Sequence, residues 1–128
     1  MQAKMIAGHE LTPGKTVKDH IHVEGTELHV PHVLLCGEQP GPTVLITAGI
    51  HNAEYVGIQA AIELSNELDV SMLRGNVILV PLVNRSGFEN RTMSRVFEDG
   101  KNLNRVFPGD REGSEAERLA HMLFEVFI

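Results

Sequence analysis

Thr16 to Val23 alternates apolar and polar positions: Val17, Ile21 and Val23 fall on one side, Lys18, His20 and His22 on the other. A period of two predicts a half-buried strand, because successive side chains of an extended backbone point to opposite faces. Glu24-Gly25 then supplies a hairpin turn into a second extended stretch, Glu27 to Cys36. Within it Pro31 lacks the amide that a central ladder needs, which marks an edge or a bulge. Gly37 to Pro42 carries two Gly and two Pro and reads as a loop. Two short apolar runs follow, Thr43 to Ala48 and Asn76 to Val83. Their near-continuous hydrophobicity predicts strands covered on both faces by helices. Between them Glu54 to Leu68 sets Ile58, Ala61, Ile62 and Leu68 along one helical stripe. Strand, helix and strand in that order imply a right-handed parallel crossover. The pattern as a whole predicts an α/β fold, a mixed sheet with a parallel crossover and an N-terminal antiparallel hairpin.

From Asn84 to Arg111 the periodicity disappears and Gly, Asn, Arg and Asp accumulate. A connection of about thirty residues is far longer than compact domains usually use, and such segments are functional or disordered. Beyond it Ser114 and Glu117 spell a capping box, and Ala116, Leu119, Ala120, Leu123 and Phe127 continue a helical apolar face. That helix runs into Phe124-Glu125-Val126-Phe127-Ile128 with no Gly, Asn or basic last turn to stop it. The expectation is that residues 1–128 are the N-terminal piece of something longer.

Composition narrows the function classes. A length of 128 residues allows at most one compact unit, and 42% hydrophobic residues are enough for a core. Against 17 Asp and Glu stand 11 Lys and Arg, a formal charge of −6, with no Trp and 5% aromatics. Neither a phosphate-neutralising surface nor stacking platforms are available, so no nucleic-acid partner is expected. A single Cys, Cys36, rules out an internal disulfide, fits a reducing compartment and reads as a small buried hydrophobe. No run approaches the roughly 18 apolar residues of a membrane span, and Met1 to Leu11 has no leader-like h-region. A soluble, cytoplasmic domain with no membrane partner is the expectation.

His51 and Glu54 form a His-x-x-Glu pair directly after Gly49-Ile50, where a buried strand ends and the crossover helix opens. Open α/β sheets place ligands in that crevice, and a first helical turn brings residues three apart onto one side. Imidazole nitrogen and carboxylate oxygen both suit Zn²⁺ at about 2.0–2.2 Å. On spacing and context alone this reading stands level with a plainer one, in which Glu54 complements the helix dipole and His51 is a polar strand-end residue. The second feature is the long loop, which opens a stretch, Arg85 to Arg118, holding six of the seven Arg. At its centre an Asn beside an Arg presents amide and guanidinium donors together, and guanidinium grips a carboxylate through two parallel hydrogen bonds.

Gly49-Ile50-His51-Asn52-Ala53-Glu54, followed by Asn102-Leu103-Asn104-Arg105-Val106-Phe107-Pro108-Gly109, resembles the succinylglutamate desuccinylase/aspartoacylase family. These are zinc-dependent deacylases related to the metallocarboxypeptidases, and the strong match runs from about Thr43 to Gly109. The resemblance implies the N-terminal part of a zinc-carboxypeptidase-like fold and a hydrolase that removes an acyl group from a small N-acyl amino acid or related compound. It implies His51 and Glu54 as two zinc ligands, and Asn104 and Arg105 as the grip on a substrate carboxylate. It also implies an upstream arginine that polarises the scissile carbonyl: Arg91 first, Arg95 second.

The chain departs from the family pattern in two ways. Asn52 stands where Gly often follows the metal-binding His, and Asn tolerates the left-handed backbone such a turn would use. The family's third ligand, a His in an Asp-Leu-His segment, and its general-base Glu have no counterpart before Ile128, so the 128 residues alone are expected to be inactive. His121 reads as an ordinary helix residue. His20, His22, His29 and His32 read as the polar face of the hairpin, with a second metal site there the minor alternative. Two other functions stay open: a metallocarboxypeptidase-like peptidase, and a non-catalytic carboxylate-binding module. Exposed apolar surface would favour a homo-oligomer.

Overall fold

A computed structural model describes residues 4–128. A two-stranded ribbon, β1 (Met5–Ile6) and β2 (His9–Glu10), precedes the main strands β3 (Thr16–His22), β4 (His29–Cys36), β5 (Gln39–Thr47) and β6 (Arg74–Val80). The main sheet runs in the order β3-β4-β6-β5. Its first two strands form the predicted antiparallel hairpin, with His22 opposite His29. β4 and β6 pair antiparallel from Val33–Leu79 to Cys36–Asn76, while β5 lies parallel to β6, joined to it through α1 (Tyr55–Glu67). The fold is therefore the mixed α/β sheet expected. Pro31 pairs with His20 on β3 but lies beyond Val33, where pairing to β6 begins. Its missing amide costs no ladder bond there: the inner strand is locally an edge, as the proline required.

In β6 three consecutive residues, Ile78, Leu79 and Val80, are fully buried, which an alternating half-buried strand cannot achieve. Ile78 and Val80 pack with Leu34, Leu119, Ala120, Leu123 and Phe127 under α3 (Glu115–Phe127). Leu79 faces the other way, with Val33, Leu35 and Ala61 under α1. The same expectation fails for Thr43 to Ala48. β5 borders the sheet with β6 on one side only, and Val44 is 48% exposed. The helix stripe is likewise narrower than the periodicity implied. Ile58 and Ala61 are buried, but Ile62 is 41% exposed, because α1 covers only the smaller of the two cores.

The segment Asn84–Arg111 is not structureless. It contains α2 (Arg85–Asn90) and a 3-10 turn, Leu103–Arg105, while Val96 and Leu103 plug into the main core. The capping box at Ser114 also takes a different form. Ser114 and Glu117 do meet, hydroxyl to carboxylate at 3.1 Å, but the Ser114 side chain caps no helix amide. Asp99, from the loop, accepts the Ala116 amide at 2.8 Å and the Ser114 hydroxyl at 2.7 Å. Burial pushes the Asp99 carboxyl up, but the amides of Lys101 and Ala116 and the Ser114 hydroxyl together hold it below its ordinary value. The loop thus carries the helix cap, tying its position to α3.

His32 corrects the reading of a polar histidine face. It is 2% exposed and packs between the rings of Phe127 on α3 (5.6 Å) and His9 on β2 (6.1 Å). Among the described residues neither ring nitrogen has a hydrogen-bond partner. Burial lowers its pKa below the ordinary histidine value, against the pull of Asp19 across on β3; His9 and His20, the other titratable groups near it, act in the same direction as burial. A histidine kept neutral in the fold binds its proton in the unfolded chain first, so stability falls as pH drops below about 6.5. His32→Leu is expected to flatten the urea-unfolding stability between pH 7 and pH 5; an unchanged pH slope would show that His32 does not set it. Cys36 is buried as expected, and burial raises its thiol pKa. No helix among the described residues is long and apolar enough to cross a membrane.

Candidate active site

The carboxyl end of β5 is extended by backbone pairing into the next segments. The Ala48 amide donates to the Val80 carbonyl (2.9 Å), and the amides of Val83 and Asn84 donate to Ala48 and Gly49 carbonyls (3.0 and 2.9 Å). The chain then turns sharply at Gly49, whose φ of +70° and lack of space, with Leu82 Cδ1 only 2.8 Å from where a Cβ would sit, require glycine. This turn delivers His51 and Glu54 to the mouth of the sheet, one residue before α1 begins.

The two side chains meet. His51 Nδ1 lies 3.2 Å from Glu54 Oε1, with the imidazole 26% and the carboxylate 73% exposed. On the other side of the ring, His51 Nε2 lies 3.0 Å from Asn102 Oδ1. That oxygen also accepts the Asn104 amide at 3.1 Å, which identifies it as the oxygen of the Asn102 side chain. Nε2 therefore carries a proton and donates, which in the neutral ring leaves the Nδ1 lone pair aimed at the Glu54 carboxylate. Two electron-pair donors facing one another need a cation between them, either a proton or a metal ion. Bonds of about 2.0–2.2 Å at a tetrahedral angle place two ligand atoms roughly 3.4 Å apart, close to the separation found here. The pair fits a zinc-sized divalent ion as two donors. Among the described residues no three His, Cys, Asp or Glu side chains come together in ligating geometry.

A cleft of about 350 Å³ opens beside the pair, lined by Thr47, Ala48, Gly49, Ile50, His51, Glu54 and Asn104. The N-L-N-R segment thus reaches the site through the 3-10 turn, which Asn102 caps and Leu103 anchors by complete burial. Arg105 follows Asn104 in that turn, exposed, with its guanidinium donating to the Asn104 carbonyl (3.3 Å). The two candidate carbonyl-polarising arginines differ. Arg95 donates to the Gly100 carbonyl at 2.9 Å, within its own loop. Arg91, at the left-handed end of α2, makes no side-chain hydrogen bond or ion pair among the described residues. Arg85, Arg111 and Arg118, by contrast, bond Glu89, Glu24 and the Gly113 carbonyl.

Three asparagines at the site were not singled out as site residues from the sequence: Asn102, which orients His51, and the buried pair Asn52 and Asn84. Asn52 does not adopt the left-handed backbone expected of it; its side chain is turned inward, where its oxygen accepts from Asn84. An available signal was the placement of Asn84 and Asn102 immediately before helical turns, the usual position of a capping side chain. His20, His22, His29 and His121 take no part in this cleft.

Comparison with known proteins bears on the family and the fold. Residues 40–128 match the succinylglutamate desuccinylase/aspartoacylase catalytic domain. Over 89 residues the chain is 43% identical to the N-alpha-acetyl-L-2,4-diaminobutyric acid deacetylase of Halomonas elongata, covering 69% of this chain and 25% of that protein. An aspartoacylase family protein from Mesorhizobium loti superposes with a TM-score of 0.83 at 34% identity, over 99% of this chain and 41% of that one. A succinylglutamate desuccinylase/aspartoacylase from Rhodobacter sphaeroides gives 0.81 at 28% identity, over 93% and 38%. The chain thus spans a quarter of the curated relative and about two fifths of the solved structures. On the family match and the shared architecture, this chain belongs to the succinylglutamate desuccinylase/aspartoacylase family.

Proposed function

We propose that these 128 residues are the N-terminal part of the catalytic domain of a zinc-dependent deacylase that cleaves small N-acyl amino acids. The observation that carries this reading is the convergence of His51 Nδ1 and Glu54 Oε1 at 3.2 Å beside a cleft that Asn104 lines. The chemistry a zinc ion supplies in such a site is Lewis acidity, which acidifies water and polarises a carbonyl. His51 and Glu54 would hold the ion, with Asn102 fixing the His51 tautomer through Nε2. Asn104 and Arg105 bind the carboxylate of the amino-acid product half and so orient the amide bond. Arg91, whose guanidinium makes no bond among the described residues, stabilises the oxyanion that develops as the acyl carbonyl is attacked. A third ligand and the general base that takes the proton from the attacking water come from outside these residues, so the 128 residues alone hold metal weakly and do not turn over. The cytoplasm is the compartment that fits the free, buried Cys36.

The test is hydrolysis by the full-length, zinc-loaded protein of N-acetyl- and N-succinyl-amino acids beside short peptides. Release of the free amino acid from the acylated compounds, with peptides left intact, is expected. Cleavage of C-terminal peptide bonds instead would assign a carboxypeptidase-type activity. Failure on every substrate with zinc bound would leave a carboxylate-binding module.

A further inference from the structure

We propose that Asn52, Asn84 and Thr92 form a clasp, buried at its two asparagines, that locks the arginine-bearing loop to the His51–Glu54 loop and thereby fixes Arg91 as a positioned part of the site. The inference rests on the reading of Arg91 as the oxyanion-stabilising group. The clasp joins three separate segments. Asn52 Oδ1 accepts from Asn84 Nδ2 at 3.1 Å and from the Thr92 hydroxyl at 3.3 Å. Asn84 Nδ2 also donates to the Arg95 carbonyl at 3.0 Å, and its Oδ1 accepts the Gly87 amide at 3.1 Å. The Thr92 hydroxyl contacts the same Arg95 carbonyl. Beside these side chains the Ala53 amide donates to the Met93 carbonyl at 2.9 Å. Asn52 and Asn84 are almost completely buried, so each amide depends on these partners for its hydrogen bonds. Gly87 belongs to the same unit: a Cβ there would sit 2.6 Å from Asn84 Nδ2 and 2.7 Å from both Thr92 Oγ1 and the Arg95 carbonyl oxygen.

What the clasp holds is a strained backbone. Arg91 and Met93, on either side of Thr92, have φ of 55° and 72°. Residues with a Cβ seldom occupy that region, and they stay there only where their surroundings over-determine it. Thr92 offers its one hydroxyl hydrogen to two acceptors, Asn52 Oδ1 of the metal-site loop and the Arg95 carbonyl of its own loop. Asn84 Nδ2, with two hydrogens, bonds both acceptors fully. The backbone of Arg91 is fixed by this arrangement and by its amide bond to Gly87 at the end of α2, while its guanidinium makes no bond among the described residues. A pinned backbone carrying a free cationic side chain is what a positioned anion-binding group needs.

Asn84→Ala would also strip the cap of α2, so the test uses the full-length, zinc-loaded protein with Thr92→Val, Thr92→Ser and, independently, Asn52→Gly. In isotope-labelled protein the Arg91 and Met93 carbon shifts and amide couplings report positive φ. That signature is expected to be lost in Thr92→Val and Asn52→Gly and kept in Thr92→Ser. In the two disruptive variants kcat for an N-acetyl amino acid is expected to fall roughly 10–100-fold with KM changing less, as for a misplaced catalytic group. Zinc affinity, measured with the metal alone, is expected to shift by much less than the ~10–100-fold of a lost outer-shell partner. Persistence of the positive-φ signature in both disruptive variants overturns the clasp, and its loss with kcat unmoved overturns the positioning of Arg91. A wild-type protein without turnover would refute the deacylase reading and with it the role of Arg91, while the spectral arm would still decide whether the clasp holds the loop.

Discussion

His51→Ala is expected to weaken zinc binding by more than about 100-fold, beyond the ~10–100-fold that loss of an outer-shell partner produces. The reason is that the substitution removes one of the two donors these residues offer, and among the described residues Glu54, three-quarters exposed, has no second ligating neighbour. Asn102→Ala supplies the internal control. It leaves both donors in place and removes the acceptor that holds the proton on Nε2, so a loss of ~10–100-fold is expected. Isothermal titration with zinc alone distinguishes the ranks. Equal affinities for wild type and His51→Ala would move the metal elsewhere and leave the 3.2 Å contact as a proton-bridged pair at the surface.

Leu103→Ala is expected to destabilise the fold by about 2–5 kcal/mol, the range for a buried leucine truncated to alanine. Leu103 is wholly buried against the core beneath α3, yet it sits between Asn102 and Asn104, which touch the candidate site. One side chain therefore anchors both the core and the cleft. Urea unfolding measures the first effect. The second is read from the Asn102–His51 contact, through the ring-nitrogen shifts of His51, under conditions where the variant is still folded. A loss below about 1 kcal/mol would mean that the turn relaxes into the space, and the cleft should then be displaced more than the core is weakened.

Histidine 32 shows why pattern reading has a limit at single positions. On β4 it lies three residues from the exposed His29 and so on the opposite face, in line with Val30 and Leu34 of the core, a place its polar residue type alone would not suggest. Its burial is imposed by Phe127, nearly a hundred residues away in sequence, whose helix settles over that part of the sheet. Asp99 is a similar case: a loop carboxylate caps α3 in place of the serine that sequence would nominate, because the loop is drawn against the helix by the burial of Val96 and Leu103. Val44 is the converse. Its run is apolar enough for an inner strand, but strand order is a tertiary property, and β5 has β6 on one side only.

Local pattern by itself determined the hairpin strands, β6, the crossover helix and the two motifs that carry the family resemblance, since each depends on residues adjacent in the chain or one turn apart. The spacing of His51 and Glu54 within one turn is of this kind, which is why a ligand pair was legible there. β1, β2 and residues 39–42 at the start of β5, within a stretch that reads as a loop, were not legible. Only the tertiary structure decided that Asn102 would orient the imidazole, that Asn52 would turn inward to Asn84, and that Arg91 rather than Arg95 would keep its guanidinium unengaged. The first two depend on contacts between residues 51 and 32 apart in the chain, the third on a bond inside the loop, from Arg95 to the Gly100 carbonyl. Hydrogen-bond partners at that range are set by how the cores close, and no periodicity along the chain encodes them.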